Sequence, residues 1–266
     1  DGGTSWTHRA SALFEHARPF VAGGSVYVIG HRGDLVILRS DDGGTSWGEP
    51  EPLTEGQHWH QAPCNVCYAH GKVYLVMERR VTFDTRGWYV GEMAPVLMRA
   101  PVDADLRLRA SWTFASELSF REVLPGAESS EGLDFAGIPF HPCPYPIGTE
   151  VGPGRHCAPL GWLETNVVRF TDPSHIWHDP TGRTFHLWMR AHTGGTGYAC
   201  IAKVVEQGER AGTGAMTTIL ETVPSGRRIL YVPCPGGQMK FHVLHDRDTG
   251  LYWLLSTQAT DSMRRV

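Results

Sequence analysis

Four short stretches place polar side chains where strand chemistry could use them. "GWLETNVV" sets Glu164 and Asn166 two residues apart, hence on one face of an extended chain. Glu164 follows the apolar pair Trp162–Leu163, and a carboxyl in apolar surroundings holds its proton more tightly, as a proton donor requires. A carboxylate beside an amide also suits a clamp on sugar hydroxyls. "GQHWHQAP" sets His58 and His60 on one face with Trp59 opposite, and a histidine that titrates near neutrality suits general acid or base work. That pair could also bind a metal, but no adjacent carboxylate completes a site, so no metal and no cofactor are expected.

Cations accompany these groups. Arg18 in "ARPF" offers a planar fork that grips a carboxylate bidentately. Lys240 in "GGQMKFHV" follows a Gly–Gly turn and shares a face with His242. Two further stretches end in polar residues at a rim where substrates arrive: "VMERR", with Glu78, Arg79 and Arg80, and "MRAHTGG", with Arg190 and His192. Trp59, Trp88, Tyr89 and Tyr145 are candidates for stacking on sugar rings.

The elements that must position these residues read as strands. "RPFVAGGSVYVIG", "APCNVCYAHGKVYLVMERR", "SHIWHDPTGRTFHLWMRAH" and "MKFHVLHDRDTGLYWLLST" each show strand, turn, strand. A helical period is nowhere sustained. The grammar breaks between about 115 and 160, where Pro and Gly crowd together. That stretch is expected to be an insertion in a single domain covering 1–266.

The hexapeptide Asp1-Gly2-Gly3-Thr4-Ser5-Trp6 recurs as Asp42-Gly43-Gly44-Thr45-Ser46-Trp47. The spacing is about that of one four-stranded propeller blade. With Ser40, the second copy resembles the Asp-box, S-x-D-x-G-x-[ST]-W, of sialidase-like β-propellers. "HWHQAPCNVCYAHGKVYLVME", "MRAPVDADLRLRASWTF", "GWLETNVV" and "GGQMKFHVLHDRDTGLYWLLS" look like exo-sialidase-like proteins of bacteria. The resemblance implies an all-β propeller of four-stranded blades, five or six in the full family, with the box structural and the site at the mouth of the central channel. It implies a carbohydrate-active enzyme, with Arg residues at positions like Arg18 holding a substrate carboxylate.

The likeness is incomplete. The three Arg, the Tyr–Glu nucleophile pair and the Asp acid/base of true sialidases cannot be laid on this chain as a set. Tyr231 is the nearest offer for the nucleophile.

Composition narrows the function. The 266 residues carry a net charge of −4, so no basic field points to nucleic acid. No apolar run approaches the length of a membrane-spanning helix. Six cysteines are too few for a disulfide scaffold. Cys64 and Cys67, in a strand, point to opposite faces and suit no shared zinc, while Cys143 and Cys157 could pair in an oxidising compartment. An extracellular or periplasmic location is expected. The chain opens on the first residue of its first hexapeptide, without the serine that Ser40 supplies to the second copy, and it is expected to be a piece of a longer protein.

The leading expectation is a glycoside hydrolase acting on a terminal, possibly acidic, sugar of a glycan. Glu164 and His60 would be catalytic, and Arg18, His58, Asn166, Arg190, His192, Lys240 and Glu78 would bind substrate. The alternatives are a polysaccharide lyase acting on a uronate-containing glycan and a non-catalytic sugar-binding propeller.

Overall fold

The computed structural model describes residues 2–62, 64–85, 88–124, 135–136, 150–152, 155–156, 160–192 and 197–258. They are nearly all β. Sheet I is a four-stranded antiparallel meander: β1 (Glu15–Ala22), β2 (Ser25–Arg32), β3 (Asp34–Ser40) and β4 (Glu51–Pro52). Sheet II follows as β5 (Trp59–His60) and β6 (Cys67–Ala69), both paired with β7 (Lys72–Arg80), then β8 (Met93–Pro101) and β9 (Thr113–Phe114).

Three short strands come next, β10 (Phe135–Ala136), β11 (Glu150–Gly152) and β12 (Arg155–His156). Sheet III comprises β13 (Gly161–Val168), β14 (Thr184–His192), β15 (Tyr198–Glu206) and β16 (Met216–Ile219). After β17 (Glu221–Thr222) and β18 (Arg228–Ile229), β19 (Tyr231–Pro233) pairs with β15. Sheet IV is the hairpin of β20 (Phe241–His245) and β21 (Tyr252–Ser256). Most of the expected 115–160 insertion, with Tyr145, Cys143 and Cys157, lies outside the described residues.

The central strands explain their own sequences. β7 reads as a continuous apolar run because both of its faces are covered. Val73, Leu75 and Met77 pack with Phe20, Ile29 and Ile37 of sheet I. The alternate residues Tyr74 and Val76 pack with Phe185, Leu187 and Cys200 of sheet III. A third cluster joins Val168 and Ile201 to Phe241 and Val243 of sheet IV. A fully buried side chain of this size contributes roughly 1.5–3 kcal/mol. A single hydrogen bond contributes about 1 kcal/mol net. Apolar burial between sheets therefore dominates, and polar ties set the alignment.

Those ties join the first strands of successive sheets. Asn65 Nδ2 donates to Val167 O at 2.8 Å and Val243 O at 2.9 Å, while its Oδ1 accepts from Val167 N at 2.7 Å. Gln61 Nε2 donates to Thr165 O at 3.2 Å. Further out, the buried pair Arg99–Glu206 (2.5 Å) bridges sheets II and III, and Tyr74 Oη donates to the same carboxylate at 2.9 Å.

The turn between β3 and β4 is closed by Asp42. Its carboxylate accepts from Thr45 N at 2.9 Å, Ser46 N at 2.8 Å and Ser46 Oγ at 2.6 Å. Trp47 Nε1 donates to Gly44 O at 3.0 Å. These bonds hold the Asp42 carboxyl well below the usual range. In the earlier copy Trp6 is 89% exposed.

Candidate functional site

The site begins with an irregularity shared by two sheets. In sheet I, Glu15 pairs with His31 and Arg18 with Ile29, so one extra residue bulges from β1. In sheet III, Leu163 pairs with Arg190 and Asn166 with Trp188, so β13 bulges at the same station. The bulges put His16 at φ 54° and Glu164 at φ 57°, a left-handed conformation that costs a non-glycine residue energy and clusters at functional sites. Sheet II breaks at that level too, between His60, paired with Glu78, and Cys67, paired with Tyr74. Gly30 makes the first bulge possible, since a Cβ there would lie 2.5 Å from Glu15 O.

The second strands supply the matching polar set. Counted from Ser25, Lys72 and Thr184, the seventh residue is His31, Glu78 and Arg190. All three are buried, with Glu78 at 0% exposure.

Around them the charges converge. Cys64 feels Arg18 of sheet I, Glu78 of its own sheet, Lys240 just before sheet IV and Glu164 of sheet III. Burial dominates that thiol and pushes it up to about 12, so Cys64 is a neutral wall residue rather than a nucleophile.

Arg18 is 2% exposed. Its Nη1 donates to Val76 O at 3.0 Å, while Nε and Nη2, the other edge of the fork, have no partner among the described residues. Glu78 Oε1 accepts from Thr165 N at 3.0 Å and Thr165 Oγ1 at 2.8 Å, and its Oε2 has no partner among the described residues. Burial pushes Glu78 up to about 8; the Thr165 bonds and Arg18 oppose this, and the Glu164 charge reinforces it. Arg190 Nη1 lies 3.5 Å from Glu164 Oε2, its Nε donates to Gln238 O at 2.9 Å, and its guanidinium stands 5.4 Å from the Trp88 ring. His192 packs edge-on against the same ring at 4.9 Å.

Several expectations are corrected here. Asn166 is not a sugar clamp: its Nδ2 donates to Phe241 O at 3.1 Å and its Oδ1 accepts from Val243 N at 3.1 Å, so both ends tie sheet III to sheet IV. His58 is exposed and packs on Phe83 at 5.0 Å, outside the cluster that His60 joins, although its carbonyl accepts from Arg80 N at 2.9 Å in continuation of the β5–β7 ladder. Trp59 is buried in the core beside Phe114 and offers no stacking face. Tyr231 sits on β19, three strands out from β13, where it packs in the core instead of meeting the charged cluster.

The apolar pair before Glu164 does not enclose it either. Trp162 Nε1 donates to Met93 O at 3.0 Å within the core, and Leu163 packs with Val90 and Met93. The carboxyl that burial raises is Glu78. Arg79 ion-pairs with Glu117, and Arg80 with Glu92 at 2.7 Å while stacking on Tyr89.

His60 does reach the site, in company the sequence did not announce. His16, His31 and His60 each bring a ring nitrogen within 4.8 Å of the others. His31 could have been found as the partner in position of Glu78 and Arg190; His16 depends on the bulge, which leaves no local signal.

No family model matches the chain, and no curated protein matches it. Among solved structures, a protein of unknown function from Dyadobacter fermentans DSM 18053 is similar at 13% identity and a TM-score of 0.45, covering 90% of this chain and 57% of that one. The chain thus spans little more than half the length of that protein. A GH43 β-1,3-galactosidase solved with galactodeoxynojirimycin is similar at 11% identity, TM-score 0.29, covering 91% of this chain and 85% of that one. An exo-1,5-α-L-arabinanase from a bovine ruminal metagenomic library is similar at 11% identity, TM-score 0.28, covering 91% and 96%. Likenesses this distant assign the chain neither a family nor an activity.

Proposed function

We propose that the successive sheets are blades of a sialidase-like propeller and that the protein is a glycoside hydrolase acting on a terminal acidic sugar. The observation that carries this reading is one convergence: a buried arginine fork with an unpartnered edge beside two carboxyl groups in unlike surroundings. Glycoside hydrolysis needs such a pair, one carboxyl protonated to donate to the leaving oxygen and one to support the cationic transition state. Glu78, raised to about 8, keeps its proton at neutral pH and is the donor. Glu164, ion-paired with Arg190 and presented by a strained bulge, is the second carboxyl. The Nε/Nη2 edge of Arg18 matches a sugar carboxylate, with Lys240 adding positive charge, and Trp88 offers a ring for stacking.

A second reading, a lyase acting on uronates, draws support from His60, whose neighbours and burial hold it neutral at pH 7 and so able to accept a proton. The test is a panel of acidic and neutral aryl glycosides and uronate polysaccharides. Release of the aryl group that is lost in Glu164→Gln supports hydrolysis. A product with a new ultraviolet-absorbing double bond overturns it in favour of elimination. Affinity for a glycan without turnover overturns both.

A further inference from the structure

We propose that His16, His31 and His60 form a binding site for a zinc-type divalent transition metal, with a fourth position open to water. The three rings come from three separate strands of two sheets, β1, β2 and β5, so their meeting is a tertiary arrangement. His16 Nδ1 and His31 Nε2 lie 3.1 Å apart. Two ligands on a tetrahedral zinc, each with a bond of about 2.0–2.1 Å, stand about 3.3 Å apart. His60 presents its ring edge-on to both, with centroids 5.0 Å from His16 and 5.6 Å from His31.

The surroundings favour a metal over a charged histidine trio. His31 is 5% exposed, and three imidazolium ions could not share so small a space. Imidazole nitrogen suits zinc, copper, iron or nickel, whereas calcium and magnesium require oxygen ligands.

No fourth His, Cys, Asp or Glu completes the cluster among the described residues. Three protein ligands with one open position is the arrangement of catalytic rather than structural zinc. The strain at His16 fits the same reading, since its φ of 54° turns the ring out of the β1 ladder toward the other two. The rival arrangement is a plain hydrogen bond between His16 and His31, which needs no metal.

The experiment uses the full chain, stripped with a chelator and dialysed. It is titrated with Zn²⁺ by calorimetry and with Co²⁺ by visible absorption. One equivalent is expected, with the intense Co²⁺ bands of four-coordinate geometry. His31→Ala and His60→Ala are each expected to weaken binding at least about hundredfold, and His8→Ala, at an exposed site, to leave it unchanged. His31→Gln and His60→Gln, which keep a polar side chain, guard against loss of fold, and circular dichroism reports on it. A Zn²⁺ affinity weaker than millimolar overturns the proposal, as does binding that survives substitution of all three histidines. So does a Co²⁺ spectrum of weak, six-coordinate type.

Discussion

His16 and Glu164 occupy the same station in two sheets. Each is the extra residue of a bulge in the first strand, each has φ near +55°, and each lies two residues before a side chain that crosses to the next sheet, Arg18 or Asn166. The repeat thus uses one backbone device twice to turn a side chain out of the ladder, once as an imidazole and once as a carboxylate.

That device predicts a separation of stability from activity. Glu164→Gly relieves a strained φ at a cost of about 1 kcal/mol in unfolded-chain entropy, so its melting temperature is expected to stay within a few degrees of the parent. Glycosidase turnover is expected to fall by about 10²–10⁴. Differential scanning calorimetry and an aryl glycoside assay on the same preparation check both. A large loss of stability with turnover retained would show that the bulge is architectural.

Glu78 predicts a pH dependence of known sign. Its folded pKa of about 8 lies above its unfolded value, so the unfolded chain releases the proton first as pH rises. Its favourable contribution is complete below about pH 4.5 and is lost progressively as pH climbs to 8. Glu78→Gln, neutral at every pH, is expected to match the parent near pH 5 and to exceed it in melting temperature near pH 8. Equal melting curves at pH 8 would remove the raised carboxyl from the account.

His31 and His60 predict the opposite slope. Their folded values near 4 lie below the unfolded value, so protons bind the unfolded chain first as pH falls from 6.5 toward 4. Stability of the metal-free chain is expected to decline across that window, and less so in His31→Gln. Urea midpoints at pH 7 and pH 4.5 measure the difference.

Asn166→Ala leaves Phe241 O and Val243 N without their partner, at about 1–3 kcal/mol for burying each such group unpaired. The urea midpoint is expected to drop while the KM of any substrate found stays near that of the parent. A selective rise in KM would restore Asn166 as a ligand.

Arg18→Lys keeps a charge but not the fork. Binding of a carboxylate-bearing sugar is expected to weaken by about tenfold or more, with little change for a neutral sugar of the same ring. Equal losses for both would mean that Arg18 serves packing through its bond to Val76.

What the sequence determined is what depends on neighbours a few residues away. The closing of the Ser40–Trp47 turn on Asp42 needs only side chains and amides within that loop, so it could be read directly. The β7 strand is legible as well, because a short continuous apolar run opened by the Gly71 turn is what a strand covered on both faces looks like. Arg18, Glu78, Glu164 and Arg190 stand out by residue type and position on their strands.

Tertiary structure decided the rest. Whether Asn166 faces a ligand or a neighbouring sheet depends on which backbone lies opposite, and that is Phe241 and Val243, more than seventy residues on. Whether His60 stands beside His58 or beside His16 and His31 depends on a bulge in another strand and on Gly30 making room for it. Register shifts of one residue reverse the direction of a side chain, and nothing in the local pattern of β1 or β13 records where the extra residue falls.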